Sequence, residues 1–89
     1  MYTVAFKITW MDRNSGKLYA TARSKVTIPF IPFEHLHLKV SGVEESIRQP
    51  FWNGEYFEVN KVYEVCSYEF DRLISNYLLN AWDFTFEPR

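Results

Sequence analysis

The chain has 89 residues, 47% of them hydrophobic and 17 aromatic (eight Phe, six Tyr and three Trp), with a formal net charge of −1. That length predicts a single domain over 1–89. The apolar content excludes intrinsic disorder, and the lone cysteine, Cys66, excludes an internal disulfide and hence a secreted disulfide scaffold.

From Tyr2 to Met11 the side chains alternate, with Tyr2, Val4, Phe6, Ile8 and Trp10 on one side and Thr3, Ala5, Lys7 and Thr9 on the other. A period of two over this length predicts a half-buried strand. The same N-terminus lacks the basic start and long apolar stretch of a signal peptide, and no apolar run reaches membrane-spanning length. The expected location is therefore the reducing cytoplasm, with no membrane partner. Asp12-Arg13-Asn14-Ser15-Gly16 follows as a turn, Asn and Gly supplying the backbone conformations a hairpin needs. The return strand sets Leu18, Ala20, Ala22, Val26 and Ile28 inward and Lys17, Tyr19, Thr21, Arg23, Lys25 and Thr27 outward.

Pro29 and Pro32 interrupt the alternation, since neither can donate a ladder hydrogen bond. Phe30, Ile31 and Phe33 between and beside them are expected to close one end of the core. A short third strand resumes at His35 and ends at a Ser41-Gly42 turn. Asn53-Gly54 between apolar stretches signals a second hairpin. A three-residue loop, Trp52-Asn53-Gly54, gives the better register, with Ile47 opposite Val59, Val43 opposite Tyr63 and Glu45 opposite Lys61.

At Ser67 the period changes. Phe70, Leu73, Ile74, Tyr77, Leu78 and Ala81 form one helical stripe, with Ser67 as the expected cap and an end near Asn80 or Ala81. Trp82, Phe84 and Phe86 then alternate with Asp83, Thr85 and Glu87 as a last strand, stopped by Pro88. The expected fold is α+β: an antiparallel sheet of five to six strands, open or curled, with one C-terminal amphipathic helix packed on one face, in the order β-β-β-β-β-α-β.

Chemistry-bearing motifs are sparse. His35-x-His37 on a strand would aim both imidazoles to one side, the geometry of two metal ligands, but nothing nearby supplies a third. Cys66 beside a helix start could be activated by the helix dipole, yet a lone cysteine reads equally as a small buried hydrophobe. Glu44 and Glu45 are adjacent on a strand and face opposite ways, so they cannot serve as an acid/base pair. With no phosphate loop, nucleophile elbow or dinucleotide fingerprint in the sequence, neither a cofactor nor an enzyme is expected.

Binding surfaces are better represented. Residues 1–42 carry six cations against two acids, a balance of +4, and residues 43–89 carry four against nine, a balance of −5. Lys7, Lys17, Tyr19, Arg23 and Lys25 on one outward face would suit single-stranded nucleic acid, charge for phosphate and a ring for stacking. Phe51, Trp52 and Tyr56 around the second hairpin would suit a protein interface, because Trp and Tyr anchor such contacts. A pocket between helix and sheet, lined by Phe70, Tyr77, Trp82 and Trp10, would suit a small molecule. The preferred expectation is a non-enzymatic module working through protein contacts, as a homodimer or with a charged partner.

Overall fold

Residues 1–87 are described by the structure, a computed structural model, and they form seven strands and one helix. The first hairpin stands as expected. β1 (Tyr2–Asp12) and β2 (Leu18–Ile28) pair antiparallel from Tyr2 opposite Ile28 to Trp10 opposite Ala20. Asp12 organises the turn: its carboxylate accepts the Asn14 N–H at 3.0 Å and the Ser15 hydroxyl at 2.9 Å, and Gly16 takes a φ of 72°. Those bonds, the one from the Asn14 backbone foremost, hold the Asp12 carboxyl below its ordinary pKa.

The far side of β1 differs from expectation. β6 (Phe57–Val65) lies there parallel to β1, aligning Val4 with Phe57, Phe6 with Val59 and Trp10 with Tyr63. The connection between β2 and β6 is long enough to return the chain to the same end, which a parallel pair requires. The five-stranded sheet has the order β5-β6-β1-β2-β7, so it is mixed and open, not purely antiparallel or closed. With a strand on each side, β1 buries Val4, Phe6, Ile8 and Trp10 almost completely.

β3 (His37–Val40) and β4 (Val43–Ser46) form a separate two-stranded hairpin. Ser41 and Gly42 both have positive φ, 45° and 80°, as a two-residue hairpin turn demands. Residues 43–46 are therefore spent on β3, and the expected pairing of Val43 with Tyr63 and of Ile47 with Val59 does not occur. The Asn53-Gly54 hairpin does form, but it closes only β5 (Phe51–Trp52), with Trp52 opposite Phe57 and Phe51 opposite Glu58. Its loop has four residues, not three. The Asn53 side-chain oxygen accepts the Glu55 and Tyr56 N–H groups at 2.9 and 3.0 Å and fixes the wider turn.

Helix α1 (Ser67–Leu79) follows, and then β7 (Asp83–Phe86), which pairs with Ala20–Arg23 of β2. Six strands precede the helix where five were expected. Ser67 is the first helical residue; Cys66 occupies the cap position with an extended backbone and no side-chain bond. Pro88, expected to end β7, lies outside the described residues.

Helix and small hairpin pack on the same face of the sheet. Trp10 is the hub, with Tyr77 edge-on at 5.1 Å, Phe84 stacked at 5.7 Å and Tyr63 at 6.3 Å. Ala20 and Ala22 on β2 face this side and leave room for the rings of Phe86 and Phe84 opposite them. The Trp82 indole N–H donates to the Val40 carbonyl at 3.2 Å and ties β3 to the segment after the helix. Among the described residues no helix is long and apolar enough to cross a membrane.

Candidate functional site

The β1 N-terminal end of the molecule carries an unusual concentration of uncovered apolar surface. Phe30, Ile31, Phe33, Phe51 and Trp52 are 44%, 59%, 56%, 62% and 49% exposed. They are brought together by the sheet's own order. Ile28 faces Tyr2 across the first hairpin, the Tyr2 ring meets Phe57 at 6.1 Å, and Phe57 meets Trp52 at 4.9 Å. The loop after Ile28 is strapped to the segment before β5, because Glu34 accepts the Gln49 N–H at 2.7 Å and faces Arg48 at 3.4 Å.

Two of the three expected interface residues thus sit at this end. Tyr56, the third, is half-buried and faces a hollow elsewhere on the molecule. The Phe30–Phe33 run corrects another expectation. It does not close the core, since Pro32 alone of that stretch is buried while the two rings pack on each other at 6.2 Å in solvent. The signal was available in the prolines: a segment that cannot join a ladder cannot easily insert its side chains into a sheet core.

The opposite face of the sheet is left open by the helix and hairpin. There Lys7 stands directly across from Arg23, and Ala5 lies between Lys25 on β2 and Glu58 on β6. This groups three of the expected basic residues. Tyr19 does not join them. The register slips between Trp10 and Met11, and the bulge re-aims Tyr19 to the helix side, where its ring packs on Phe70 at 4.9 Å and is 8% exposed. It is a core ring, not a stacking platform. Lys17 stays at the hairpin turn, away from the other cations.

The two histidines part company. His35 has a φ of 69° in the turn before β3 and so does not share a strand face with His37, which pairs with Glu44 at 3.6 Å. Among the described residues no three His, Cys, Asp or Glu side chains group as metal ligands. The expected aromatic pocket also changes. Phe70 and Trp82 are core residues, and a cavity of about 260 Å³ is bounded by Trp10, Tyr63, Tyr77 and Leu73 with Arg13 and Glu69 at its mouth.

One polar cluster escaped sequence reasoning. Glu44 and Glu45 do face opposite ways, but Glu45 turns inward and is 3% exposed. Lys61 Nζ donates to its Oε2 at 2.8 Å, Tyr63 OH to the same oxygen at 3.4 Å, and Tyr77 OH to Oε1. Burial on its own would lower the pKa of Lys61; the bonds to Glu45 and Tyr63 and the Glu45 charge outweigh it and hold the ammonium above its ordinary pKa. Burial, and then the bond to Glu45, pushes the Tyr77 phenol far up. The cluster joins β4, β6 and α1, with every polar side-chain atom buried among the described residues satisfied. Its geometry is that of a structural lock.

Comparison with protein-family models, with curated proteins and with solved structures returns no match to this chain.

Proposed function

We propose that the protein is a non-enzymatic binding module that acts in the cytoplasm through protein contacts, and that its apolar end docks a second copy of itself. The observation that carries the reading is the exposure of Phe30, Ile31, Phe33, Phe51 and Trp52 at one end of a chain this small. The largest apolar patch on a small protein is often a functional surface.

Area favours a second copy. At about 150–250 Å² per large side chain, half-exposed, five of them offer on the order of 500 Å². Two such ends face to face bury about 1,000 Å², the size at which specific interfaces begin. Chemistry favours it too. An uncharged aromatic surface is complementary to itself, the requirement of an isologous pair. The charge split between the two halves of the chain gives no basis for a head-to-tail pairing, because β6 of the acidic half lies beside β1 of the basic half in one sheet and the halves form no separate poles.

Sedimentation velocity over a micromolar concentration series tests the proposal. The expected result is a dimer that the double variant Phe33→Ser, Trp52→Ser reduces to monomer with an unchanged circular dichroism spectrum. A wild-type protein that stays monomeric across the series contradicts it.

A further inference from the structure

The open face of the sheet holds a hollow of about 540 Å³, within the range of small-molecule sites. Ala5 on β1 is a small side chain with long ones around it: Lys7 is the next outward residue on β1, Lys25 stands opposite on β2 and Glu58 opposite on β6. A methyl group there lets a ligand approach the sheet between those side chains.

Like charges directly across an antiparallel pair repel and destabilise it. Lys7 and Arg23 are such a pair, and Lys25 is the next outward residue beyond Arg23. Among the described residues none of the three cations enters an ion pair, although Glu58 and Asp83 line the same hollow. Asp83 stands directly opposite Arg23 on β7 and offsets part of that repulsion, while Lys7 and Lys25 have no acid directly across from them. Features that break a local rule in this way are expected where a ligand is met.

We infer that this hollow binds a small organic phosphate bearing hydroxyl groups, such as a sugar phosphate or a mononucleotide, with Lys7, Arg23 and Lys25 holding the phosphate. Three cations on neighbouring strands supply the charge-assisted bonds that a phosphate dianion needs. Ser24, between Arg23 and Lys25, points to the hairpin side of the sheet, where its hydroxyl meets that of Ser41 at 2.5 Å beside the hollow. Asn60 and Glu58 on the β6 side offer amide and carboxylate partners for hydroxyls. The same acids argue against a nucleic-acid strand. With Glu58 and Asp83 beside the three cations the lining has too small an excess of positive charge for a run of phosphates, and Tyr19, the ring a base would stack on, is buried.

Amide chemical shifts followed during titration test this site, with ribose 5-phosphate, inorganic phosphate, ribose and a short single-stranded oligonucleotide as probes. Ribose 5-phosphate is expected to shift residues 5–7 and 23–25 saturably, with weaker binding by inorganic phosphate and none by ribose. Lys7→Gln and Arg23→Gln, both exposed positions, should each weaken it at least about tenfold, one charge-assisted bond being worth ~1.5–3 kcal/mol. The absence of a saturable shift overturns the inference, as does undiminished binding in both variants. Tighter binding of the oligonucleotide, with a salt dependence of several phosphates, overturns it in favour of nucleic acid.

Discussion

At Glu45 a buried carboxylate meets an ammonium 12% exposed and two phenols, drawn from three different elements. Removing one member of a buried ion pair leaves the other desolvated without compensation, which costs about 3–5 kcal/mol. Glu45→Ala should therefore lose roughly that much in urea denaturation, more than most single changes cost. The cluster also sets a pH dependence. Lys61 and Tyr77 both have raised pKa values in the folded state, so both favour the protonated protein. Their contribution is whole below the unfolded values near ~10 and is lost as pH climbs through the folded ones. The urea midpoint should hold from neutral pH to about 9 and then fall, and the double variant Lys61→Met, Tyr77→Phe should flatten that fall. Sequence reasoning did set Glu45 against Lys61, but as cross-strand neighbours in a hairpin. The two do meet, across layers instead, because a charged residue within a short strand gives no sign of which layer will cover it.

Among the elements, turns carry the sharpest constraints. Gly42 has a φ of 80°, and a Cβ there would stand 2.1 Å from the Asn80 side-chain oxygen. Gly42→Ala combines a left-handed backbone penalty of about 1–2 kcal/mol with displacement of the Asn80 side chain, which otherwise donates to the Asn76 carbonyl at 2.7 Å. A measured loss of about that size or more is expected, and an unchanged unfolding midpoint would argue that the β3–β4 turn is built differently. This turn, the first hairpin and the helix were all legible, since each is written in local periodicity and turn residues. The parallel pairing of β1 with β6 was not, because it joins strands separated by four others and leaves no mark at short range. The bulge that turns Tyr19 inward is likewise invisible to alternation, which assigns every second residue to solvent.

For the molecule as a whole, one sheet face is sealed by helix and hairpin and the other is open and charged, while one end is apolar and bare. Composition supplied 17 aromatic side chains to a small domain. It did not say which would be left outside: Phe30 and Phe33 read as core, and the prolines beside them decided otherwise. The tryptophans now supply a direct probe, since Trp10 and Trp82 are buried within the protomer and Trp52 is half-exposed. Acrylamide quenching of tryptophan fluorescence should therefore report chiefly on the apolar end. If that end docks a second copy, quenching is weak in the wild-type protein at high concentration and rises both on dilution and in a Phe33→Ser, Phe51→Ser variant. Quenching that is equal in the two proteins and indifferent to concentration would contradict the account.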